Sequence, residues 1–224
     1  MALRRRPRTS RQFVVLGLGR FGSSVARTLY QMGFEVLGID ADEERVQDIS
    51  DEITHAVQAD CTDDEALASL GIRNFDVGVV AIGDLEASVL ATVILLEQGV
   101  KLVVAKAVSE LHGRVLQKVG AHHVVYPDRD MGERVAHYLV SGNVLDYFPL
   151  APGYSFLEVK TPAEFVGRTL RDLDFRARYG VIIVAVRRGE ELHPAPGPEF
   201  CIQTGDILAA LGPDEDLERL QAEG

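Results

Sequence analysis

The sequence predicts an α/β protein, a doubly wound parallel sheet followed by a second, smaller α+β domain. Three observations carry that reading. Phe13 to Leu16 is a short apolar strand that runs into Gly17, Gly19 and Gly22 and then into an amphipathic segment, the strand, turn and helix of a first βα unit. Asp76 to Gly83 is apolar almost without interruption, as expected of a parallel strand covered by helices on both faces. Strand-like and helix-like segments alternate up to about residue 140, and there the alternation stops.

In chain order, Ser23 to Met32 reads as a helix closed by Gly33, and Phe34 to Asp40 as the second strand. Ala41 to Ile49 opens with acids, which suit a helix N-terminus, and offers Val46 and Ile49 as its apolar face. Thr54 to Asp60 is the third strand, and Asp63 to Leu70 a helix ended by Gly71. After the Asp76–Gly83 strand come a helix over Glu86–Glu97, a strand over Lys101–Lys106, a helix over Leu111–Val119, a strand over His122–Tyr126 and a helix over Met131–Val140. Ser141-Gly142-Asn143 breaks the pattern. Beyond it, Leu157–Val159, Val181–Val186 and Asp206–Leu211 read as strands, Pro194–Pro198 as a loop, and Thr169–Leu173 and Asp214–Ala222 as helices. The expected division is a basic tail at 1–12, a Rossmann-like domain at 13–142 and a C-terminal domain at 143–224.

Composition narrows the function classes. The chain has 224 residues, 46% hydrophobic, and no apolar run long enough to span a bilayer; even Ala87–Ala105 is broken by Glu97, Gln98 and Lys101. The basic stretch from Leu3 to Arg11 lacks the apolar core of a secretory signal and reads as a solvated tail or a contact for anionic lipid. With a net charge of −11 and its remaining cations dispersed, the chain has no basic face for nucleic acid. Its two cysteines and six histidines show no metal-ligand spacing, which suits a reducing cytosol.

The candidate site is a phosphate cradle. Gly17 allows a tight turn, Gly19 a close backbone approach, and Gly22 the packing of helix on strand, while the N–H groups opening the helix face an anion. Asp40, ending the second strand, is the carboxylate expected to accept from both ribose hydroxyls, an arrangement that disfavours a 2′-phosphate. Asp60 either accepts from an adenine amine or initiates the next helix. Phe21 and Arg20 at the helix entrance, Cys61 beside Asp60, and Ile82 at the end of the fourth strand complete the crevice. Lys106, at a strand's C-terminal end, is either a phosphate or ribose contact or an exposed strand-end lysine.

Gly17-Leu18-Gly19-Arg20-Phe21-Gly22, Asp40, Ala59-Asp60-Cys61-Thr62 and Tyr126-Pro127-Asp128-Arg129-Asp130-Met131-Gly132 occur in the order found in the RCK (regulator of K+ conductance) family. Tyr179–Val186 and Gly205-Asp206-Ile207-Leu208 resemble that family's C-terminal domain. The resemblance implies a cytoplasmic regulatory subunit, peripheral on the inner face of the membrane, whose homodimers assemble into a homo-octamer beneath a membrane potassium-translocating subunit. It implies ATP and ADP as exchanging ligands; Arg20, following the second glycine at the helix entrance, either reaches γ-phosphate oxygens and senses them or stands solvated beside the loop. It also implies a cation such as Mg2+ at Asp128, where many relatives carry Glu, and cyclic di-AMP at Arg176, although Ile182 stands where relatives use Asn. The alternative class is an NAD(H)-binding sensor or NAD-dependent oxidoreductase; the glycines and Asp40 fit it equally, but no residue stands out as a hydride-transfer acid or base.

Overall fold

The computed structural model describes residues 11–140 and 144–222. The basic tail up to residue 10 and the 142/143 boundary suggested by the sequence lie outside the described residues. The chain divides into two compact units, residues 1–128 and 129–224.

The first unit alternates strands and helices: β1 (Gln12–Leu16), α1 (Arg20–Gln31), β2 (Glu35–Asp40), α2 (Glu43–Ile49), β3 (His55–Gln58), α3 (Asp64–Ser69), β4 (Val77–Val80), α4 (Leu85–Glu97), β5 (Leu102–Lys106), α5 (Glu110–Lys118) and β6 (His123–Val125). Its six strands are all parallel, in the order β3-β2-β1-β4-β5-β6, as the alternation demands. The pleat sends Val14 and Leu16 of β1 to one face, where they pack with Leu67, Leu95 and Leu116 of α3, α4 and α5. It sends Val15 to the other, with Ala26 and Ile49 of α1 and α2. Burial on both faces explains why β4 is buried at every position and why its sequence shows no alternation.

Helix starts are set by side chains. Asp42, Asp63, Asp84 and Ser109 each accept a hydrogen bond from a backbone N–H in the first turn of α2, α3, α4 and α5. α6 (Pro127–Val140) begins earlier than the expected Met131, because a proline needs no N–H donor in a helix's first turn.

The second unit, which includes α6 from Arg129 on, is an antiparallel sheet of β7 (Val144–Ala151), β8 (Tyr154–Lys160), β9 (Ile182–Arg188), β10 (Glu191–Pro194) and β11 (Ile207–Pro213), in the order β10-β9-β11-β8-β7. α7 (Leu170–Leu173), α8 (Phe175–Tyr179) and α9 (Asp214–Gln221) complete it. Its core gathers Leu157, Phe165, Leu173, Val186, Leu208 and Leu217. The sequence reading missed β7 and β10, and placed Pro194 in a loop. β7 is an edge strand interrupted by Pro149 and by register shifts, and β10 is short, so neither carries a clean period of two.

One buried ion pair fixes the end of this sheet. Arg188 donates from Nε and Nη2 to the two carboxylate oxygens of Asp206, both at 2.8 Å, and Gln203 N–H adds a third bond at 2.8 Å. Asp206 is fully buried, and the Arg188 guanidinium holds its carboxyl below the usual carboxylate range, with desolvation opposing. The contribution of the pair is therefore complete above the ordinary aspartate value of ~3.8 and is lost as pH falls through the lower folded value. Asp206→Ala, which strands the partly buried Arg188, is expected to destabilise this unit by about 3 kcal/mol in urea denaturation at neutral pH, with a smaller difference from wild type under strong acid.

Candidate functional site

The sheet's strand order reverses at β1 and β4, so the turns leaving their C-terminal ends frame a crevice. Gly17 has φ +91°, a conformation that L side chains rarely adopt, and its N–H donates to Ile39 O at 2.8 Å. A Cβ on Gly22 would lie 1.8 Å from the Gly17 carbonyl oxygen, so α1 sits this close to the turn only because Gly22 has none. Gly19 differs. Its φ of −65° suits any residue, and a Cβ there would meet no protein atom within 4 Å. Nothing inside the chain requires glycine at that position, and the backbone there is open on its outer side.

The start of α1 is electrostatically open. Gly19 supplies no side-chain cap, and the first turn holds no acid. The N–H groups and the positive end of the helix dipole are thus left for an anion. A pocket of about 290 Å3 lies there, lined by Gly19, Arg20, Phe21, Gly83, Lys106 and Asp128. Arg20 is exposed and makes no side-chain hydrogen bond or ion pair among the described residues. Lys106 Nζ is 3.4 Å from Asp128 Oδ2 and 6.0 Å from the Phe21 ring centroid, and its side chain is only 17% exposed against 83% for Asp128. Lys106 is therefore turned into the pocket and is not a solvated strand-end lysine.

At the far end of the cradle, Asp40 is buried at the end of β2. Its Oδ2 accepts from Leu18 N–H at 2.6 Å, and its Oδ1 from Asp42 N–H at 3.0 Å; Arg45 Nη1 lies 3.4 Å from Oδ2. The carboxylate thus ties the glycine turn to the second strand; Oδ2 already has two donors, and Oδ1, with one, keeps acceptor capacity for a hydroxyl. Ile82 packs at the rim, its Cγ1 3.1 Å from where a Gly17 Cβ would stand.

The structure gives Asp60, Cys61 and Arg176 these surroundings. Asp60 does not initiate α3; Asp63 does, accepting from Ala66 N–H at 3.0 Å, three residues closer to the helix. Asp60 is exposed and closes a turn, accepting from Thr62 N–H at 2.8 Å and Thr62 Oγ1 at 2.7 Å, bonds that lower its pKa. Cys61 turns its thiol inward, where Sγ donates to Ile39 O at 3.6 Å; burial, with the Asp40 charge beside it, pushes the thiol up to about 12, so it stays protonated beneath the glycine turn. Arg176 belongs to the second unit, on a cavity of about 620 Å3 that it shares with Leu170, Asp174, Ile182, Pro196 and Pro198. Asp128 is a single carboxylate facing an ammonium, and among the described residues there is no group of three or more His, Cys, Asp or Glu placed to hold a metal. Gly83 and Arg45 were overlooked in the sequence, although Gly83 ends the apolar β4 run at the switch point.

Residues 13–127 match the TrkA-N domain model and residues 155–223 the TrkA-C domain model. The chain is 44% identical over 212 residues to Ktr system potassium uptake protein C of Bacillus subtilis, spanning 94% of this chain and 96% of that protein. It is 39% identical over 216 residues to Ktr system potassium uptake protein A of the same organism, spanning 96% and 97%. Among solved structures, the RCK domain of GsuK superposes with a TM-score of 0.67 at 18% identity, covering 96% of this chain and 47% of that one. Among the described residues, no helix is long and apolar enough to cross a membrane.

The two glycines separate by consequence. Gly22→Ala is expected to cost about 2 kcal/mol or more in urea denaturation, because a backbone carbonyl must shift. Gly19→Ala should remain within about 1 kcal/mol of wild type.

Proposed function

Since the chain belongs to the TrkA-N/TrkA-C family of Ktr potassium uptake proteins, we propose that it is the non-enzymatic, cytoplasmic regulatory subunit of a potassium uptake system and responds to adenine nucleotides. The observation that carries this reading is the pocket at the uncapped start of α1, where Gly19 leaves the backbone open and Arg20 and Lys106 supply two cations. A diphosphate lies over the glycine turn, Asp40 takes the ribose hydroxyls, and Arg20, as the unengaged cation, reaches a γ-phosphate. ATP and ADP then differ by the Arg20 contact. That difference is what a ligand needs in order to favour one conformation over another.

A cation at Asp128 would be shared with the nucleotide phosphates, which supply the ligands the protein lacks and compete with Lys106 for the carboxylate. In the second unit, the cavity at Arg176 suits an anionic second ligand of the cyclic di-AMP class, with Ile182 and the prolines giving apolar contact in place of an amide. In its working form the subunit is a homo-octameric ring of dimers docked beneath a membrane potassium-translocating subunit.

Calorimetric titration of the ligand-stripped protein with ATP, ADP, NAD+ and NADH tests the reading. ATP and ADP should both bind, and Arg20→Ala should weaken ATP about tenfold more than ADP. Equal losses would remove Arg20 as the γ-phosphate sensor. A strong preference for NADH, with substrate-dependent oxidation, would favour the redox class.

A further inference from the structure

His112 of α5 is fully buried, and both of its ring nitrogens are engaged. Nδ1 accepts from Val108 N–H at 3.3 Å, and Nε2 lies 2.7 Å from Ser88 Oγ in α4. The Ser88 hydroxyl donates to Leu85 O at 3.0 Å, so its oxygen must accept from the ring. The network therefore assigns one neutral tautomer, with the proton on Nε2 and the lone pair on Nδ1. A second proton has no place: it would set an Nδ1–H against the Val108 N–H.

The ring bridges two particular stretches of chain. Gly83 leads directly into the first turns of α4, which hold Ser88, and Lys106 leads into Val108; Gly83 and Lys106 both line the phosphate pocket. We propose that His112 is a positioning residue for that pocket, a pin that holds the Gly83 and Lys106 loops together only while its ring is neutral. The inference rests on the nucleotide-binding reading of the pocket.

The charged and titratable surroundings are few. From α4, the N-cap Asp84 favours the imidazolium; burial, the larger effect, disfavours it and holds the ring below the ordinary histidine value. From the β5–α5 segment comes Lys106, turned into the pocket beside Asp128. Tyr126, beyond β6, packs its hydroxyl against Gly113, and on α5 itself Glu110 and Arg114 are exposed. Above the ordinary imidazole value of ~6.5 the pin contributes fully. As pH falls below that value the unpinned form takes up a proton that the packed ring refuses, and the pin is lost progressively toward the lower folded value.

The test compares wild type with His112→Asn, whose Oδ1 stands where Nδ1 was, accepts from Val108 N–H and does not titrate. ADP affinity is measured by calorimetry at about pH 8 and about pH 5.5, on either side of the ordinary imidazole value. The phosphates of ADP titrate in the same range, so the readout is the ratio of the two proteins at each pH. Wild type should lose at least about threefold more affinity than the variant on acidification, since each pH unit below a group's pKa shifts its equilibrium by up to ~tenfold. Equal losses would overturn the proposal.

Amide exchange over residues 107–113 reads the pin without ligand. Protection lost at acid pH in wild type but kept in the variant supports it, and equal protection overturns it. If that exchange difference holds while ADP binds at neither pH, the pin stands and the nucleotide reading falls. Should His112→Asn fail to fold, His112→Gln, which keeps the donor to Ser88, takes its place in both measurements.

Discussion

The contact on which the first unit depends is the approach of α1 to the turn after β1. The Gly17 carbonyl oxygen occupies the space that a Cβ on Gly22 would need, and Gly17 itself turns at φ +91°. That approach presses the start of the helix against the end of the central strand, and from it follow the other features of the site. The first N–H groups point into the crevice at the strand-order reversal, Leu18 N–H comes within reach of the Asp40 carboxylate, and the thiol of Cys61 fills the space beneath. The helix begins on glycine, with no side-chain cap and no acid in its first turn, so its electrostatic need is met from outside the chain.

The parallel sheet was legible because each of its constraints leaves a mark in the sequence. Strands buried on both faces read as continuous apolar runs, helices open on Asp or Ser caps, and the glycines stand where the backbone turns or packs. The antiparallel unit was less legible. β7 is an edge strand with Pro149 and shifted register, and β10 is a four-residue edge, so tertiary pairing and not local periodicity makes them strands. The Pro127 start of α6 was obscured because the Tyr126–Gly132 segment reads as a motif before it reads as a helix.

Around the candidate site, type and spacing put the glycines, Arg20, Asp40 and Lys106 at strand ends and the helix start, and the fold has them there. What spacing did not reveal was the direction of each side chain. Cys61 points into the core, Asp60 turns back on Thr62 while Asp63 caps the helix, and Gly83 and Arg45 enter by position on the fold. His112, one of the six histidines without metal-ligand spacing, is fully buried and bonded at both ring nitrogens, to Val108 N–H and to Ser88 of α4. A residue's type suggests the chemistry it can do; burial and partners decide whether it is free to do it.

In a chain of the Ktr potassium uptake family, a pocket with two cations at an uncapped helix start leads to the central proposal that nucleotide occupancy of that pocket controls transport. The most direct measurement is potassium flux into liposomes carrying a membrane potassium-translocating subunit together with this protein, compared with and without adenine nucleotide. The account predicts that flux changes between ATP and ADP with the wild-type subunit, and that this response disappears with Gly19→Ala, whose added Cβ faces the open side of the turn. A response to nucleotide that survives intact in Gly19→Ala, or a wild-type subunit that binds the partner but transports alike under both nucleotides, would contradict it.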